Sequence, residues 1–190
     1  MNYWLGLDMD RDAAIGLVKE HVKKENNLKH MVAVGAVMRS MAARLGEDQA
    51  RWENIGILHD IDFEECNGLQ DHTLIARKLL EGVVDGEAIQ TIMAHNYENT
   101  GVVLDTPAKK ALVASDAVSG LVVATALVMP SKKLADVKPE SLAKKYRTKD
   151  FAKGCDRARI SLCEGVGVPL EEFLALALEG MKGVSSELGL

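Results

Sequence analysis

Apolar residues recur along most of this chain at spacings of three and four, the period of a helix with one buried face. Over 11–24, Ala14, Ile15, Val18 and Val22 share one side, with charges opposite. Over 28–45 the same spacing continues until Gly46 stops it. A third helix is predicted over 47–61, ending in Ile-Gly-Ile-Leu-His-Asp-Ile. A loop follows at 66–71, where Asp71 is placed to cap a helix over 72–81, and Asp85 to cap another reaching His95. Residues 96–105 have turn composition, with Asn99, Thr100 and Gly101. Thr106 then Pro107 gives an N-cap followed by proline at the first helical position, starting a helix that runs to about Met129. Pro130 ends it. Further helices are predicted over 139–146, over 151–164 with Asp150 as cap and Gly165 and Gly167 as breakers, and over 169–182. No segment alternates like a strand, so the predicted fold class is all-α, in one domain over 1–190.

Composition narrows this picture. Aromatics are only 4% of the chain, so the core must be built from Leu, Val, Ile, Ala and Met, and Met31, Met38, Met41 and Met93 read as packing. The formal charge of -5 disfavours nucleic acid as a partner. The charge is uneven, however. Between 132 and 159 stand ten basic residues and only Asp136, Glu140, Asp150 and Asp156 against them, a field that suits a small anionic ligand or a solvated helix face. Three cysteines, with no CxxC pair, point to a reducing compartment and so to the cytoplasm. Residues 1–10 carry acids where a signal peptide needs bases. The longest apolar tract, 111–129, is interrupted by Ser115, Asp116 and Ser119 and reads as a core helix, with no membrane expected as partner. A homodimer is the default expectation for oligomeric state.

The chemistry lies in five histidines, His21, His30, His59, His72 and His95. His21 sits among Glu20, Lys23 and Lys24 and reads as a surface residue. His59 is followed at once by Asp60. Two such neighbours, about 100° apart on a helix, rarely serve one core purpose, but both can reach one metal near a helix end. Imidazole with carboxylate suits Mn, Fe, Zn, Co or Ni more than Ca. Asp116 falls in a helix apolar on most sides, where a carboxylate needs a cation or a full set of donors.

Taken together, His30 in Leu-Lys-His-Met-Val-Ala-Val, His59-Asp60 in Gly-Ile-Leu-His-Asp-Ile and Asp116 in Val-Ala-Ser-Asp-Ala-Val resemble the H…HD…D signature of the HD superfamily of metal-dependent phosphohydrolases. The resemblance covers about 27–129 and leaves 130–190 as a C-terminal helical extension of an HD-type bundle. His72 and His95 resemble the two extra histidines of the subgroup that binds two metals. It implies two divalent ions, with His30, His59, Asp60 and Asp116 on the first, His72 and His95 on the second, and Asp60 bridging. It further implies His59 and Asp60 as catalytic residues, a metal-bridging hydroxide as nucleophile, and a phosphorylated small molecule as substrate.

One departure stands out. Many HD hydrolases carry a lysine three positions after the HD aspartate, whereas here Asp60 is followed by Ile61, Asp62, Phe63, Glu64 and Glu65. The phosphate contact must then come from elsewhere, with Arg77 and Lys78, or Lys149, Lys153 and Arg157, as candidates. Asn96 and Tyr97, directly after His95, are candidates to line the pocket. Asp62, Glu64 and Glu65 are expected to face solvent. Two other readings stay open: a di-iron oxygenase of HD fold, similar to myo-inositol oxygenase, and a non-catalytic sensor that binds metal or nucleotide.

Overall fold

Local signals in the sequence set most of the helix ends in the computed structural model, which describes residues 9–190. The reading of the N-terminus as no signal peptide therefore rests mainly on residues outside those described. Helix α1 (Arg11–His21) starts at Asp10, whose side chain accepts the Ala13 N–H. Helix α2 (Glu25–Leu45) ends at Gly46 with φ 76°, the left-handed value that favours glycine. Helix α3 (Gln49–Leu58) is capped by Asp48, and its C-cap is His59. After a run of turns come α4 (Leu74–Leu80), α5 (Gly86–Ala94) and the single turn α6 (Tyr97–Thr100). Asp85 caps α5 and Thr106 caps α7 (Pro107–Leu127), with proline in its first turn, as the sequence leads one to expect. Then follow α8 (Pro139–Arg147), α9 (Arg157–Ile160), a 3-10 segment (Ser161–Val166), α10 (Leu170–Gly183) and α11 (Ser185–Leu188). Among the described residues there is no strand, so the fold is an all-α single domain.

Three expectations need correction. The helix expected over 47–61 stops at Leu58, because the chain turns there to bring His59 and Asp60 inward. Asp71 does not cap α4: the cap position is Thr73, in the left-handed region at φ 69°, and the amides of Thr73 and Ala76 donate instead to Asp62 Oδ2 at 2.7 and 2.9 Å. Asp150 starts no helix over 151–164. It pairs with Lys153, and the chain from 148 to 156 is a compact loop whose carbonyls at Phe151, Ala152 and Cys155 converge on the Arg157 guanidinium. Helix α9 begins only at Asp156, which caps it.

Packing centres on two long helices. Helix α2 lies against α3, α7 and α10, and α7 also touches α5, α8 and α9. Helix α7 is long and apolar enough to cross a membrane, yet 61% of its most apolar stretch is buried inside the bundle. Leu134, Leu142, Ile160, Phe173 and Met181 join the same core as Met31 and Met38, so 130–190 is not a separate unit. Helices α2 and α3 come together at Gly35 and Gly56, where a Cβ on Gly56 would lie 2.7 Å from the Gly35 Cα. That contact sets how closely the helices bearing His30 and His59 can approach. Gly56→Ala is expected to destabilise the protein by about 1–3 kcal/mol, since backbone rather than a flexible side chain would have to move. Urea unfolding monitored by circular dichroism measures this, and an unchanged midpoint would contradict the close contact.

Candidate metal centre

Six side chains from five parts of the fold meet at one point. His30 comes from the second turn of α2, His59 from the end of α3 and Asp60 from the turn after it. His72 precedes α4, His95 ends α5 and Asp116 lies midway along α7. Asp60 is the hub. Its Oδ1 lies 3.1 Å from His95 Nε2 and 3.2 Å from His72 Nε2. Its Oδ2 lies 3.5 Å from His59 Nε2 and 3.6 Å from His30 Nε2. His30 Nε2 is also 3.3 Å from Asp116 Oδ1. All six residues named from the sequence are thus brought together.

The other nitrogen of each ring fixes the direction of its lone pair. His59 Nδ1 lies 2.7 Å from the Gly56 carbonyl and His95 Nδ1 lies 2.6 Å from that of Ile92. A carbonyl only accepts, so both Nδ1 atoms carry a hydrogen, which in the neutral ring puts the lone pair on Nε2. His72 Nδ1 faces Asp62 Oδ1 at 2.9 Å. His30 Nδ1 faces Ser119 Oγ at 3.2 Å, and that hydroxyl spends its own hydrogen on the Asp116 carbonyl. Every ring is therefore held through Nδ1 with Nε2 turned inward, the arrangement in which a histidine ligates a metal.

Two observations test whether a cation fits. His59 Nε2 is fully buried with no hydrogen-bond partner. His72 and His95 bring their Nε2 atoms to 2.7 Å. Two facing lone pairs at that distance repel, so a proton or a metal ion must satisfy them. No lysine or arginine pairs with Asp60, Asp62 or Asp116 among the described residues; imidazoles face all three, and Asp62 also accepts two backbone amides. His30, His59 and Asp116, and likewise His59, Asp60 and His95, offer ligand atoms within 4.8 Å of one another and could hold a metal ion.

Burial and neighbours set the protonation. Burial pushes His59 down to about 4, so its imidazole is neutral. Burial alone would raise the Asp60 carboxyl, but His59, His72 and His95 outweigh it and hold it well below the usual carboxylate range. Asp116 is held down in the same way, chiefly by His30. His72 moves the other way. Burial lowers it, but Asp60 and Asp62 outweigh burial and push it up to about 10.

The structure corrects several expectations and adds two residues. Asp62 is fully buried rather than solvent-facing, and one carboxylate takes His72 Nδ1 and the Thr73 and Ala76 amides. Glu64 is half-buried and accepts the Lys23 and Lys24 amides ahead of α2, while Glu65 faces His21 Nδ1 at 2.6 Å. Ser119, read from sequence only as a break in an apolar tract, steadies His30. The cluster floors a pocket of about 580 Å³, also lined by Phe63, Leu69, Asn96, Glu98, Cys155 and Arg159. Arg159 is the lining guanidinium, and no local signal singles it out from the other basic residues of 132–159. Asn96 reaches the pocket but serves as a brace, donating to the Leu69 and His72 carbonyls. Tyr97 lies behind it, under the Arg159 guanidinium at 5.2 Å. Arg77 and Lys78 are exposed on α4 away from the pocket, Arg77 facing Glu81. Lys149, Lys153 and Arg157 line a separate surface hollow with Tyr146 and Cys155, and Arg157 is spent on backbone carbonyls.

Two outcomes are expected. Asp62→Asn presents an amide to backbone N–H donors and to His72, so metal affinity should fall about 10–100-fold, as read by calorimetric titration. Because the His72 proton persists up to about pH 10 and a metal needs its Nε2 lone pair, binding must release that proton. Affinity for a metal that uses His72 should therefore rise about tenfold per pH unit across neutral pH, and the observed binding enthalpy should vary with the buffer's ionisation enthalpy, with a slope equal to the protons released. A pH-independent affinity would remove His72 from the ligand set. Comparison with protein-family models, curated proteins and solved structures gives no match, so the site's chemistry rests on its own atoms.

Proposed function

We propose that the chain is an HD-type, metal-dependent phosphohydrolase that acts in the cytoplasm on a small phosphorylated metabolite such as a nucleotide. One observation carries the reading: four imidazole Nε2 atoms converge on the two oxygens of one buried carboxylate at the floor of a pocket of metabolite size. The order His30, His59-Asp60, His72, His95, Asp116 resembles the dinuclear HD pattern. In this reading His30, His59, Asp60 and Asp116 would hold one divalent cation, and His72 and His95, together with Asp60, would hold another. Bound there, such cations would supply an acidified water and neutralise phosphoryl charge.

The chain's own residues do the rest. Asp60 keeps both oxygens unprotonated. The Gly56 and Ile92 carbonyls, Asp62 and Ser119 fix the ring tautomers. Asn96 ties the 69–72 segment to the end of α5, so that His72 and His95 keep their spacing. Three free cysteines accord with a reducing compartment.

The test is metal content by elemental analysis of protein purified without chelator and under low oxygen, beside phosphate release from p-nitrophenyl phosphate and its bis-ester. The expected result is about two ions per chain, falling toward one in His72→Ala, with turnover lost in Asp60→Asn. No retained Mn, Fe, Co, Ni or Zn, or oxygen uptake with no phosphate release, would overturn the reading.

A further inference from the structure

Apart from the histidines, Arg159 is the pocket's lone basic side chain among the described residues, facing four lining carboxylates, Asp60, Glu98, Asp116 and Asp156. Two divalent cations set against those carboxylates would leave the pocket only slightly positive. Such a balance suits one phosphate group and not a chain of them. The guanidinium is 20% exposed. It donates to the His95 carbonyl at 3.2 Å and lies over the Tyr97 ring, which keeps it beside the cluster. Its remaining partner is Glu98 at 3.4 Å, whose side chain is 61% exposed. An exposed pair of that kind is worth little, so an incoming dianion can replace the Glu98 carboxylate without moving the arm.

Two further lining residues are apolar and open to solvent, Phe63 at 46% and Leu69 at 61%. The Phe63 ring meets His72 edge-on with centroids 5.7 Å apart, so anything stacked on its free face lies next to the cluster. Exposed apolar surface on the wall of an otherwise polar pocket is what a ligand's own apolar part covers.

We propose that the substrate is a monophosphate carrying a flat apolar group, an aryl or nucleoside monophosphate, with Arg159 on the phosphate and Phe63 and Leu69 against the ring. This rests on the phosphohydrolase reading and narrows it. The test is calorimetric titration of the metal-loaded, full-length protein with benzylphosphonate and methylphosphonate, neither of which has an ester bond to hydrolyse. Benzylphosphonate should bind about tenfold more tightly. Phe63→Ala should bring that ratio near one without weakening methylphosphonate. Arg159→Gln should weaken both about tenfold, with Arg159→Lys in between. Adenosine monophosphate should displace benzylphosphonate better than adenosine triphosphate while the metals are retained.

A ratio unchanged in Phe63→Ala, or the triphosphate binding more tightly, overturns the proposal. In that event, phosphate release from p-nitrophenyl phosphate by the wild-type protein leaves the phosphohydrolase reading standing. Failure of metal-replete protein to bind either phosphonate, together with no phosphate release, overturns both.

Discussion

A mostly buried carboxylate with imidazoles but no lysine or arginine beside it is the constraint around which this molecule is organised. Asp60 sits where burial would favour its neutral form, and the imidazoles of His59, His72 and His95 reverse that preference. Each imidazole must in turn be aimed, and the aim comes from the backbone. The Gly56 and Ile92 carbonyls accept from the His59 and His95 rings at the ends of α3 and α5, and the Ile92 carbonyl takes the His95 backbone N–H as well. The early stop of α3, where the apolar pattern suggested a helix to Ile61, serves the cluster by setting Asp60 in the turn beside His59. The Gly35–Gly56 contact serves it too, since bulk there would separate α2 from α3.

Asp62 couples this cluster to the fold on its other side. One side chain orients His72 and also satisfies the first amides of α4. Thr73 accepts a left-handed backbone next to it. Strain of that kind persists where surrounding contacts over-determine it. Here the three bonds to Asp62 do so, which joins the integrity of α4 to the geometry of a ligand.

What the sequence made legible was local. Gly46, Asp85 and the Thr106-Pro107 pair each act on their own helix end, so their chemistry could be read from neighbours alone. The six cluster residues were legible because polar groups interrupt apolar helices there and because their order resembles a known pattern. Asp62 was not, since four acids within six residues look like a solvated turn until the chain folds back. Nor was the pocket wall. Arg77, Arg157 and Arg159 look alike in sequence, but one is in solvent, one is bound by a loop's carbonyls and one faces the cavity. Only long-range packing tells them apart. The same holds for Asp71 and Asp150, which have cap chemistry but no helix to cap.

The donors converge from positions between 30 and 116, so no short stretch of unfolded chain can assemble them. An ion that binds here binds the folded protein and hardly at all the unfolded one. Its free concentration then enters the folding equilibrium directly, adding about 2.7 kcal/mol at a hundred times its dissociation constant. The abundance of the protein would then follow the supply of that ion, because the unfolded fraction open to proteases grows as the ion becomes scarce.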